Sequence, residues 1–305
     1  MNKKVFGLIA TISSAVMFGF LPLLVKSICA EGTNTLSCVV IRFGVALPMI
    51  YVLLKIKGIS LKITRKEFFS MLLISVCGYG GTSVLLFSSY NYIPSGMSTT
   101  IHYMYPMLTM LGLTIILKEK LTVMKVVAQV MCVVGILLFY TGEGGANATG
   151  IILAAVSSLT YSFYTIYLGN SCLKEMNDFK LLFYMGAISA VCVFIASLAS
   201  GTFDCTITLK GWILIIVFAL LASFIGSLGY QFGVKYIGGQ AASILSTMEP
   251  VTSVIVGAIV FNELVTAKTV LGCISILGAA TITSIISGRK DTKEKNKEER
   301  KTIHE

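Results

Sequence analysis

The sequence predicts an all-α polytopic membrane protein, ten transmembrane helices arranged as two inverted five-helix repeats around a central cavity. Composition, recurring apolar runs and a constant offset between the halves carry that prediction. Of 305 residues, 55% are hydrophobic and 12% charged, whereas a soluble domain carries roughly 25% charged residues. Apolar stretches of about 20 residues, long enough to cross hydrocarbon, recur from end to end. The length is spent on spans, and no room is left for a water-soluble domain.

Taken in order, the runs place helices near 5–28, 35–54, 68–90, 95–117, 122–141, 149–171, 180–199, 210–232, 240–261 and 267–287. Turn residues separate several of them, as in Glu31-Gly32-Thr33-Asn34, Asn91-Tyr92-Ile93-Pro94, Gly142 to Asn147 and Gly238-Gly239. Residues 1–4 form a short basic lead, 5–141 the first repeat and 149–287 the second. The charged stretch 288–305 has the composition of a disordered tail. The run from Val5 to Leu24 exceeds the roughly 7–15 residues of a signal-peptide core, so it reads as the first span.

Lys and Arg near span ends stay on the cytoplasmic side. With the N-terminus inside, 20 of the 24 basic residues fall in inside segments and only Lys210 and Lys268 in outside loops. Lys26 and Arg42 lie within spans. Both termini are therefore expected in the cytoplasm of a cell whose plasma membrane holds the chain, which requires an even number of helices.

The halves align at a fixed offset of 144: Pro106 with Pro250, Glu119 with Glu263, Ile93 with Ile237, Met104 with Met248, Thr122 with Thr266. Five helices per unit is odd, so the second unit enters the membrane from the opposite face. Inverted repeats of this kind are common among secondary transporters, with the binding site near the midplane between them.

At these residues the chain resembles the ten-helix EamA-type transporters of the drug/metabolite transporter superfamily. The resemblance rests on Arg42-Phe43, on Ile101-His102-Tyr103-Met104-Tyr105-Pro106 followed by Leu117-Lys118-Glu119-Lys120-Leu121-Thr122, and on Met248-Glu249-Pro250 followed by Phe261-Asn262-Glu263-Leu264. It implies two bundles around a cavity lined by helices one to four and six to nine, with five and ten peripheral. It also implies secondary transport by alternating access without ATP, often of amino acids or related metabolites outward.

Arg42 sits about 12 Å into its helix at roughly 1.5 Å per residue, where a charge is costly unless paired or hydrated. It is a cavity cation that attracts a substrate carboxylate, one half of an internal ion pair, or a snorkelling side chain. Glu249, near the midplane and just before Pro250, suits a proton site or a contact to a substrate ammonium. The competing reading is a structural carboxylate held by Ser246, Ser253 or the kinked backbone. Thr99, His102, Tyr103 and Pro106 share one face at i, i+3, i+4 and i+7. Ser243, Ser246, Thr247 and Pro250 form the equivalent face in the second repeat. Two such polar stripes in hydrocarbon predict a shared wet cavity. Tyr79 and Ser83 on helix three, and Ser157, Tyr161 and Tyr164 on helix six, are further candidates for its wall. Glu119 and Glu263 are expected to cap the following helix or pair with a nearby Lys.

The expected partners are a small-molecule solute, the lipid bilayer and a proton as candidate coupling ion. No cofactor, metal site or nucleic-acid partner is expected: the basic residues line no groove, and the eight cysteines are scattered without ligand spacing. A phosphate loop, nucleophile elbow or gathered His and Asp residues would mark a membrane enzyme, and none appears.

Overall fold

A computed structural model describes residues 3–116, 122–140, 147–237, 242, 245–282 and 285–286. The expected turns at 142–146 and 238–239, the motif residues 117–121 including Glu119, Ser243 and the tail lie outside the described residues. Ten helices run through the rest. They are α1 Lys3–Ala30, α2 Thr35–Ile56 and α3 Arg65–Ser89; α4 in two segments, Ser95–His102 and Tyr105–Ile116; α5 Val123–Tyr140; α6 Ala148–Asn170 and α7 Asp178–Ala199. α8 comprises Leu209–Leu220, Leu221–Gly226 and Ser227–Ile237. α9 is Met248–Phe261 and α10 Ala267–Ile282.

Side-chain caps set where many of these helices begin. Asn34 accepts from Ser37 N–H at 3.0 Å, and Thr64 and Glu67 close a reciprocal capping box before α3. Asn147, Asn177 and Thr208 cap α6, α7 and α8. The polarity of the fold is that of a membrane protein. Ile195, Ile259 and Leu271 are exposed, while Ser14, Ser37, Ser98, Ser157 and Ser158 are buried. In lipid the apolar side chains face out and the hydroxyls bond backbone inside.

Successive helices alternate in direction, and the loop contacts respect that alternation. On the face carrying the N-terminus, the α2–α3 loop meets α7, where Tyr184 donates to Leu61 O at 2.5 Å. On the far face the α1–α2 and α7–α8 loops are strapped together. Thr33 donates to Asp204 O at 2.8 Å, and Glu31 accepts from Lys210 and Thr208, both at 2.5 Å. Lys210 and Thr208 hold the Glu31 carboxyl below the usual carboxylate range.

The packing itself has the two-fold pattern of the repeats. α1 packs on α8 and, equivalently, α6 on α3; α2 packs on α7 and α4 on α9, pairs that the exchange of repeats maps onto themselves. Small residues permit these approaches: a Cβ on Gly233 would meet Thr11 Oγ1 at 1.8 Å, and one on Gly229 would meet Ala10 O at 2.8 Å. α5 and α10 pair with each other through Ala128, Cys132, Ile276 and Ala279.

The helices are interrupted in the middle of the bundle. α4 breaks at Tyr103–Met104, and the chain turns at Ser246–Thr247 just before α9, one residue from the position the 144 offset gives. Proline removes the N–H that residue i−4 would have bonded, and the breaks fall two to four residues before Pro106 and Pro250. α3 and α8 each contain a π segment, Ile74–Gly80 and Leu221–Gly226, which overlap under the 144 offset. Glycine allows the first to press on its neighbour, since a Cβ on Gly78 would lie 2.8 Å from Tyr164 Cβ. α1 breaks at Phe20 ahead of Pro22, a break without a counterpart in α6.

Candidate functional site

These interruptions surround one cavity of about 340 Å³ between the repeats. Phe18 and Leu21 reach it from the α1 break, Tyr79 from the first π segment, and Ala222 from the second. Tyr103 and Tyr105 enter from the α4 break and Glu249 from the start of α9. Irregular backbone is tolerated at membrane depth where it lines a cavity. The wall continues through Tyr161, Tyr164 and Leu168 to Asp178 and Phe179. Asp178 is exposed at the start of α7, so the cavity opens toward the face that carries the N-terminus. No residue of α5 or α10 is among the lining.

Arg42 is buried, with 6% of its surface exposed. Nη2 donates to Ser83 Oγ at 3.2 Å, and Tyr79 is a second polar neighbour. The guanidinium lies 4.2 Å from the ring centroid of Phe43, 5.1 Å from Phe218 and 5.6 Å from Phe87. Its Nε has no hydrogen-bond partner. Aromatic faces offset part of the desolvation of a guanidinium, but no carboxylate pairs with it among the described residues. The internal ion pair weighed from the sequence is therefore absent.

Of the two carboxylates in the lining, Asp178 is exposed at the start of α7 and Glu249 stands deeper in the wall. Its nearest hydroxyl is that of Tyr103, 3.4 Å from Oε2. The anticipated structural partners are engaged elsewhere: Ser246 Oγ donates to Ala242 O and Ser253 Oγ to Gly19 O. Tyr103 has a firmer bond, donating to Ser246 O at 2.5 Å. That carbonyl is the one Pro250 deprives of its helical donor, and it also accepts from Glu249 N–H at 3.0 Å. One tyrosine of the first repeat thus satisfies the broken helix of the second and stands beside its carboxylate.

His102, Tyr105, Tyr161 and Tyr164 complete an aromatic wall, with 4.6 Å between the Tyr105 and Tyr161 centroids. Of the residues read from the sequence, Arg42, Tyr79, His102, Tyr103, Tyr161 and Glu249 meet in this cavity. Thr99, Ser157, Ser246, Thr247, Pro106 and Pro250 are absent from its lining. Thr99 bonds back to Ser95 O at 3.0 Å. Ser157, wholly buried, lies behind His102 and meets its Nδ1 at 2.9 Å. Thr247 occupies the N-cap position of α9 without a side-chain cap bond, and the prolines act through the breaks they cause. Tyr105, Phe18, Phe87 and Asp178 line the wall without having been singled out. The capping pair Asn177-Asp178 was the signal for the last of these.

For Glu263 the structure shows the second of the two expectations, a pair with a Lys, and not a cap on the following helix. α10 is capped by Thr266, whose Oγ1 accepts from Thr269 N–H at 3.2 Å. Glu263 instead accepts from Ser95 N–H at 3.0 Å, at the start of α4, and pairs with Lys26 at 2.6 Å.

Two intertwined repeats, breaks at near-matched positions and a largely apolar cavity that holds Arg42 and Glu249 are the features of a polytopic membrane transporter. The chain belongs to the EamA-like transporter family, whose model matches residues 5–141 and 148–285, and so to the drug/metabolite transporter superfamily. It is 25% identical over 266 residues to the uncharacterized transporter YyaM of Bacillus subtilis, covering 84% of this chain and 87% of that one. An uncharacterized transporter of Archaeoglobus fulgidus is 26% identical over 254 residues, covering 82% and 84%. A protein of known crystal structure shares the fold with a TM-score of 0.64 at 14% identity, over 92% of this chain and 98% of its own.

Proposed function

We propose that the protein is a secondary transporter that carries small zwitterionic solutes, amino acids or close relatives, outward across the cytoplasmic membrane by alternating access. Both termini lie in the cytoplasm, in keeping with the distribution of Lys and Arg, so the cavity faces inward in this conformation. The observation that carries the reading is the pair of opposite charges on one wall. Among the described residues, Arg42 has a buried guanidinium and no counter-anion, while Glu249 lies across an aromatic lining with the Tyr103 hydroxyl at 3.4 Å. A solute carboxylate supplies the anion that Arg42 lacks, and its ammonium faces Glu249. Tyr103, His102 and Tyr161 close around the remainder, and Tyr79 and Ser83 orient the guanidinium. A proton on Glu249 is the candidate coupling ion.

Comparing metabolites inside and outside cells with and without the protein tests the proposal. Expression should lower one or a few intracellular amino acids or related zwitterions and raise them in the medium. Unchanged zwitterions alongside export of an uncharged or purely cationic solute would refute it.

A further inference from the structure

We propose that Glu263, Lys26 and the amino end of α4 form a charge lock that closes the far face while the cavity faces inward, and that opens when the cavity turns outward. The proposal rests on the transporter reading above. Glu263 follows α9, just after Asn262, whose φ of 52° turns the chain back toward the bundle. Its carboxylate accepts from Ser95 N–H through both oxygens at 3.0 Å and from Ser95 Oγ at 2.9 Å. Lys26 donates to the same carboxylate at 2.6 Å and lies 4.6 Å from the Phe261 ring. Three elements from both repeats, α1, α4 and the end of α9, therefore converge on one side chain.

The site is built for that carboxylate. A Cβ on Gly257 would lie 2.2 Å from Glu263 Oε2, and one on Gly96 would lie 2.5 Å from Val254 Cα, so α4 and α9 are in close contact beside the lock. Only 11% of the Glu263 side chain and 24% of Lys26 are exposed, and partial burial strengthens charge-assisted bonds. None of the three residues lines the cavity, whose wall runs instead to Asp178 and Phe179 on the opposite face. The closed end and the open end are thus at opposite faces.

The lock is also one-sided. The 144 offset takes Glu263 to Glu119 but Lys26 to Asn170, a neutral residue whose amide donates to Ile166 O at 2.8 Å. At the position of Lys26 the repeat thus places a cation on the far face and a neutral amide on the near face, a bias toward the inward-facing state at rest. Solute binding must overcome this bias before the far face opens.

Spin labels on Tyr92→Cys and Leu264→Cys, exposed at 46% and 69% on the far face, read the lock by their separation. The full chain is used, with its eight cysteines replaced. The parent should give one short distance. Glu263→Gln and Lys26→Met should each add a longer one, changing the ratio of the two states by roughly tenfold or more, as expected for charge-assisted bonds. Lys26→Met leaves the α4 cap in place, so it decides the matter if Glu263→Gln does not fold. Distances in the folded variants that match the parent would overturn the lock, even for a protein that transports normally. A shift in distances without solute movement by the parent would leave the lock standing and remove the transport reading.

Discussion

Arg42→Met is expected to slow transport of carboxylate-bearing solutes by about 30-fold or more while leaving thermal stability unchanged or raised. The two effects have one cause. Truncating one side of a buried, hydrogen-bonded charge pair costs roughly 2–5 kcal/mol of binding, and each 1.4 kcal/mol is about tenfold. In the empty protein that pair does not exist: Arg42 meets Ser83, Tyr79 and three phenylalanine rings, and no carboxylate. A buried charge without its counter-ion is a cost to the fold, and a hydrophobic residue of similar length is tolerated or better. Arg42→Lys should recover part of the transport, since it keeps the charge but loses the planar fork. Solute-flux assays and thermal unfolding in the same detergent check both limbs. Loss of stability in step with loss of transport would make Arg42 a structural residue.

Glu249→Gln is expected to abolish coupled transport in a protein that remains folded and inserted. The amide preserves the shape of the side chain and its capacity to accept from Tyr103, but it neither releases a proton nor faces an ammonium as a counter-ion. Two assays separate these roles. Surviving exchange of zwitterions with lost net, pH-driven movement assigns Glu249 the proton. Exchange that fails for solutes bearing an ammonium, and is spared for simple carboxylates, assigns it the solute contact. Normal rates and normal pH dependence for every solute would return Glu249 to a structural role.

The spans were legible because a membrane imposes a length and a polarity that composition records directly. The breaks in α4 and α9 were legible from Pro106 and Pro250, with the displacement toward the N-terminus that an i−4 bond requires. The π segments were not, since their extra residue leaves no mark in the apolar pattern. A stripe at i, i+3, i+4 and i+7 holds its face only along an unbroken helix, and the break in α4 divides it. His102 and Tyr103 reach the cavity, Thr99 faces the packed side, and the break at Tyr103–Met104 swings Tyr105 onto the wall. Ser157 was placed on the right helix, but the His102 ring stands between it and the space. The Lys26–Glu263 pair joins residues 237 apart in sequence, and local spacing carries no trace of such a partner.

Transport of the proposed kind depends on a cavity that binds both charges of one small solute. Counterflow into proteoliposomes loaded with a zwitterionic amino acid measures this directly, when the corresponding amine without its carboxylate and the acid without its amino group are used as competitors. The zwitterion should compete at least about tenfold better than either analogue, because each analogue leaves one buried charge unmatched, a loss worth several kcal/mol in a desolvated site. Equal competition by the amine or the acid, or no counterflow of any zwitterion, would contradict the account.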